Sequence, residues 1–146
     1  MKKTLLTLAA LCTLSLQASD FPKGSPKFFT SASAVMQAAK NNGKPVILVF
    51  SAAWCGPCQV MKTDVYPSSE VKPFHDQFNW AYLDIDEDAN TELASSFQVE
   101  SIPHVFFLDA AGKTLLDDQH GGAAPKDFTK KLTKTLQKAA KAKTAG

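Results

Sequence analysis

Val46-Ile47-Leu48-Val49-Phe50 is an unbroken apolar run, rich in β-branched residues and without polar alternation. Such a run predicts a strand buried on both faces, at the centre of a sheet that helices cover on either side. Directly after it comes Trp54-Cys55-Gly56-Pro57-Cys58, which opens a helical stretch. The chain therefore places two thiols where a central strand hands over to a helix.

The remaining segments fit that frame. Ser33 to Asn42 reads as a helix, with Ser31 or Ser33 as cap, a stripe of Val35, Met36 and Ala39, and Gly43 as its end. Trp54 to His75 reads as helix interrupted near Pro67-Ser68-Ser69, and Asn79 to Ile85 as a strand. Asp86-Glu87-Asp88 supplies acids at the start of a helix over Ala89 to Phe97. Ile102-Pro103 breaks the chain before a strand at Val105 to Leu108. The turn Asp109-Ala110-Ala111-Gly112 then leads to a hairpin partner over Lys113 to Asp117. Pro125 suits the first position of a last helix, whose Phe128, Leu132, Leu136 and Ala139/Ala140 recur at helical spacing. Asp20 to Lys27 reads as an extended lead-in, and Lys141 to Gly146 as a fraying end. Strands alternating with helices and followed by a hairpin predict an α/β domain with a mixed sheet between two helical layers. At 146 residues there is chain for one such domain.

The first residues read as an export signal. Met1-Lys2-Lys3 is basic, Leu5 to Leu16 is nearly all apolar, and Gln17-Ala18-Ser19-Asp20 turns small and polar. The run is shorter than the roughly 20 residues that span a bilayer. Residues 1–18 are thus expected to be a cleaved signal peptide, residues 19–146 the domain, and no membrane span is expected afterwards. Leu11 before Cys12 argues against a lipid attachment. With Cys12 removed, only Cys55 and Cys58 remain. In an oxidising compartment, a lone pair of cysteines three residues apart suits a bond that opens and closes.

Charge excludes one broad class. All 16 basic residues are Lys, and loss of Lys2 and Lys3 leaves 14 Lys against 14 Asp and Glu. No basic face and no Arg for bidentate phosphate contacts speak against nucleic-acid binding. A single small domain of near-neutral charge is expected to be a monomer.

The chemistry follows from the position of the thiols. A helix N-terminus leaves unpaired N–H groups and a partial positive charge, which favour a thiolate at Cys55. Cys58 lies one turn on, facing the same side, and can displace a partner held on Cys55. Gly56 leaves room beside the sulfur, Pro57 stiffens the first turn without losing a hydrogen bond, and Trp54 offers an apolar rim. Zinc requires four ligands; His75, His104 and His120 are scattered in sequence and give no close pair, so no metal is expected. A purely structural bond across so short a loop would stabilise little.

This motif after a buried strand, with Ile102-Pro103 about 45 residues later, resembles the thioredoxin family over roughly Pro45 to Leu136. The resemblance implies a thioredoxin fold and a thiol–disulfide oxidoreductase with Cys55 as nucleophile and Cys58 as resolving thiol. It implies a cis Pro103 beside the cysteines. Ile102 and Pro103 would dock the extended chain of a disulfide-containing protein substrate, and a loop near Gly121-Gly122 would complete the surface. No cofactor is implied beyond the two sulfurs. Val65-Tyr66-Pro67-Ser68-Ser69-Glu70-Val71 resembles exported thioredoxin-like domains, including the C-terminal domain of the membrane disulfide-reductase family. The Gly-Pro pair resembles reducing members, which implies a periplasmic reductase recharged by a membrane thiol donor. An oxidase or isomerase, a non-catalytic peptide-binding module, and a metallochaperone using Cys55, Cys58 and a histidine are the rival readings. The chain departs from the cytosolic pattern at Val49, where those proteins carry a buried Asp, and at Tyr82, where they carry a Lys. Asp84 is a weak substitute for that Asp, and His104 is a candidate for tuning the Cys55 thiolate.

Overall fold

The computed structural model describes residues 21–145. The expected signal segment, its cleavage site and Cys12 lie outside the described residues. Five strands form one sheet: β1 (Phe28–Phe29), β2 (Val46–Ser51), β3 (Asn79–Asp84), β4 (His104–Leu108) and β5 (Leu115–His120). Their order is β1-β3-β2-β4-β5, parallel for β1, β3 and β2, antiparallel for β4 and β5. The apolar run is central, and all six residues of β2 are buried.

Alternation along β2 divides the core between two helical layers. Ile47 and Val49 pack with Met61, Val65, Tyr66, Phe128 and Leu132. Val46, Leu48 and Phe50 pack with Val35, Ala39 and Ala94. The first layer holds α2 (Gly56–Val60), its continuation and α4 (Pro125–Thr144); the second holds α1 (Ala32–Asn42) and α3 (Asp88–Ser96). Ser31 caps α1 by accepting from Ala34 N at 3.3 Å, and Gly43 ends it with φ +69°.

Several boundaries differ from expectation. The lead-in contains a short strand, β1, that propensity alone would not reveal: its two residues pair with Trp80 and Ala81. The stretch read as helix from Trp54 begins only at Gly56. It runs from α2 straight into a π-helical turn at Met61–Val65, closed by Tyr66 N to Met61 O at 3.0 Å, and resumes as a 3-10 helix at Lys72–Gln77. The hairpin partner sits later than expected, because its register is fixed by pairing with β4 rather than by local pattern. Helix α4 persists to Thr144, past the expected fraying point.

Asp117 ties β5 to α4. Its Oδ1 accepts from Lys131 Nζ at 3.0 Å, while Lys138 and Lys134 lie 3.5 and 3.7 Å from Oδ2. Burial pushes this carboxyl up, but the Lys131 and Asp118 N–H hydrogen bonds and the ammonium charges outweigh it and hold it below the ordinary 3.8. A lowered folded value means that stabilisation is complete above the unfolded value and is lost as pH falls through the folded one. Asp117→Asn is therefore expected to cost about 1–2 kcal/mol at neutral pH. Urea melts at a series of pH values should show that difference shrinking as pH drops below 3.8; a pH-independent difference would assign the loss to packing.

Candidate active site

The loop after β2 delivers Cys55 as the N-cap of α2, with φ −88° and ψ 107°. Cys55 and Cys58 are joined in a disulfide, with Cα atoms 5.2 Å apart. Cys58 N donates to Cys55 Sγ at 3.3 Å, so a helix-terminal N–H is aimed at the sulfur. Cys58 is 1% exposed and Cys55 5%. Ala52, Ile85 and Ile102 pack around the pair. Exclusion of water by these apolar groups strengthens the N–H interaction with any negative charge on Cys55.

The residues expected to dock substrate converge here. Cys55 Sγ lies 3.7 Å from the carbonyl oxygen of Ile102. The Ile102–Pro103 peptide bond is cis. Gly121, in the left-handed region at φ +69°, donates its N–H to Pro103 O at 2.8 Å. A β-carbon at Gly56 would meet nothing within 4 Å, so the surface beside Cys55 is open. Trp54 is 67% exposed and is held at the rim by Nε1 donating to Asp86 Oδ2 at 2.9 Å. With Ile85, Val99 and Ile102 it lines a concavity of about 450 Å³. On the other side, Pro57, Val60 and Met61 face Ala123 and Pro125 across an apolar trough.

Below the site, Val49 lies opposite Tyr82 in the β2–β3 register and packs in the core. Buried Ser51 shares a 2.5 Å hydrogen bond with the Tyr82 hydroxyl. Burial pushes the Tyr82 phenol up, outweighing the Ser51 hydrogen bond, so it stays protonated at neutral pH. Asp84 is occupied in closing a turn, its Oδ1 accepting from Asp86 N at 3.0 Å.

Two of the three histidines, His104 and His120, come together in space, which corrects the expectation of no close pair. The β4–β5 register sets His104 opposite His120, and both reach Asp118. His75 is elsewhere, bonded through Nε2 to Tyr66 O at 2.8 Å and set edge-on to Trp80. Burial, the largest effect on His104, lowers its basicity against the opposing hydrogen bond to Asp118. Sequence reasoning also missed the Asp86 anchor and the Ser51–Tyr82 pair. The Ser51–Tyr82 pair was accessible in principle, because once β2 and β3 are taken as parallel neighbours both side chains fall on one sheet face. The Asp86 contact depends on a loop path that no periodicity encodes.

A family model described as thioredoxin-like matches residues 28–110. The chain belongs to the thioredoxin-like family. A thioredoxin from Mycoplasmoides gallisepticum is 32% identical over 108 residues, covering 74% of this chain and 99% of that protein. The chloroplastic thioredoxin-like protein HCF164 of Oryza sativa subsp. japonica is 32% identical over 106 residues, covering 73% of this chain. This chain spans only 40% of that relative's length. Among solved structures, the oxidised C-terminal domain of DsbD from Neisseria meningitidis superimposes with a TM-score of 0.65 at 22% identity, covering 75% of this chain and 99% of that one. The thioredoxin fold expected from the sequence is thereby established, with the cysteine pair at the position that the fold gives to the start of its second helix.

Proposed function

We propose that the protein is an exported thiol–disulfide oxidoreductase that reduces protein disulfides through Cys55 and Cys58. The observation that carries this reading is the Cys55–Cys58 disulfide at a helix N-terminus, with Cys58 N directed at Cys55 Sγ and the Ile102 carbonyl alongside. In the reduced protein the Cys55 thiolate attacks one sulfur of a substrate disulfide. A Cys55–substrate bond forms and the first substrate thiolate leaves. Cys58, deprotonated, then attacks Cys55 Sγ, and the second substrate thiolate leaves, each taking a proton from solvent. Two electrons pass to substrate, and a donor dithiol restores the pair. No cofactor enters this cycle.

Docking follows from the same geometry. An extended substrate segment pairs with the backbone of Ile102 ahead of Pro103, while Gly121 supports that edge and Trp54 and the apolar trough flank it. The basic, apolar, then small-residue start of the chain supports export to the periplasm. There a membrane thiol protein is the donor that fits a monomeric carrier. The Gly-Pro pair between the cysteines supports the reducing direction.

Cys58→Ser tests the chemistry, because it leaves the attacking thiol and removes the one that resolves. Incubated with disulfide-containing periplasmic proteins, reduced Cys58→Ser is expected to accumulate mixed disulfides visible on non-reducing gels, and Cys55→Ser to accumulate none. Absence of adducts from folded Cys58→Ser would contradict the mechanism. Equilibration of the wild-type pair with a glutathione series tests direction: a potential nearer about −270 mV than about −120 mV is expected of a reductase.

A further inference from the structure

We propose that His104, Asp118 and His120 form a binding site for a divalent transition-metal ion of the zinc type. Three features of the β4–β5 ladder build it. His104 and His120 are directly cross-strand. Asp118 is two residues before His120, and the two-residue period of a strand puts both on one face. His104 Nε2 and His120 Nε2 both approach Asp118 Oδ2, at 3.1 and 2.8 Å, and one ligand atom from each of the three residues lies within 4.8 Å of the others.

That cluster matches what zinc selects. Imidazole nitrogens and a carboxylate oxygen bind this ion at about 2.0–2.2 Å, and three protein ligands leave one position for water. Tetrahedral bonds of that length separate neighbouring donor atoms by roughly 3.3–3.5 Å, so the two nitrogens need only small movements away from Asp118 Oδ2 to admit the ion. Without a cation, two imidazole nitrogens converge on one carboxylate oxygen, and their rings stack at 3.9 Å between centroids, 34° apart. Both nitrogens must then carry protons to satisfy the oxygen. An ion uses both lone pairs and neutralises the carboxylate.

Burial is graded as a metal site requires. The His104 side chain is 4% exposed and rests against Phe106 with ring centroids 4.0 Å apart, which fixes the inner ligand. His104 Nδ1 is buried without a hydrogen-bond partner among the described residues, so Nε2, which faces Asp118, is the nitrogen placed to serve as ligand. Asp118 at 37% and His120 at 67% exposure leave the outer side open for entry. The ligands are distinct from the thiols but neighbour them: Phe106, against which His104 rests, packs in the layer of α1 and α3 with Ile85 and Ile102, which also pack against Cys55 and Cys58. It adjoins the docking edge, since the Gly121 N–H to Pro103 O bond joins the residues next to His120 and His104.

The test uses the full chain carrying Cys12→Ser, without a polyhistidine tag and with Cys55–Cys58 oxidised, so that no thiol can bind metal. Titration with Co²⁺ should give saturable d–d absorption at one ion per chain, displaced by Zn²⁺, and Zn²⁺ should raise the melting temperature. His120→Ala alters an exposed position and Asp118→Asn a half-buried one; melting curves verify that both variants fold. Each is expected to weaken binding by roughly 100-fold. Absence of a one-to-one signal, or an affinity that either folded variant retains within threefold, overturns the proposal.

Discussion

Replacing Cys55 by Ser is expected to abolish disulfide reduction, lowering turnover on a protein disulfide by on the order of 10³-fold or more while the chain stays folded. The size of the effect follows from the division of labour at the site. Cys55 is the less buried residue of the pair, receives the Cys58 N–H and sits beside the Ile102 carbonyl, which assigns the first bond to substrate to it. Cys58, at 1% exposure beneath it, cannot take over. Loss of the bond itself costs little fold stability, because a disulfide across so short a loop contributes about 2 kcal/mol. A steady-state assay paired with a thermal melt separates the two effects. Residual turnover within tenfold of wild type would remove Cys55 from its role.

The largest stability loss is expected at Trp80. This side chain is 1% exposed, lies edge-on to Phe28, Tyr66 and Phe78, tilts against Phe128, and donates Nε1 to His75 O at 3.1 Å. It thereby joins β1, the segment after the π-helical turn, β3 and α4 in one cluster. Trp80→Ala leaves a large cavity among rings that cannot collapse into it, and is expected to cost about 3–5 kcal/mol. In a domain of this size that lowers the melting temperature by roughly 10–20 °C. Trp80→Phe retains a ring, loses the Nε1 hydrogen bond, and should fall well short of that cost. Calorimetry on both variants checks the order; an alanine variant melting within 3 °C or so of wild type would mean that the cluster contributes little.

Much of this arrangement is legible in the chain because one local pattern dominates it. Five buried residues followed at once by a cysteine pair fix the central strand, the layer on each side and the position of the thiols. The helix that ends at Gly43 and the one that begins at Pro125 are written in capping chemistry. Features that depend on pairing between distant strands are not written locally. Phe28–Phe29 is a strand only because Trp80 and Ala81 lie beside it. The true span of β5 follows from its register with β4, and that register also sets His104 opposite His120. Residues sixteen apart in sequence thus form a cluster that linear spacing hides. The π-helical turn after α2 is illegible for a similar reason, since Met61, Val65 and Tyr66 are placed by the core they fill.

The central claim is that backbone dipoles at the start of α2 make Cys55 an unusually good nucleophile while Cys58 stays covered. The pH dependence of alkylation of the reduced protein by iodoacetamide, read by mass spectrometry at each cysteine, tests it most directly. Cys55 should react first, with a midpoint clearly below the roughly 8.5 of an unperturbed thiol, and Cys58 should remain largely unmodified in the folded chain. Equal modification of both sulfurs, each with the midpoint of free cysteine, would contradict the account.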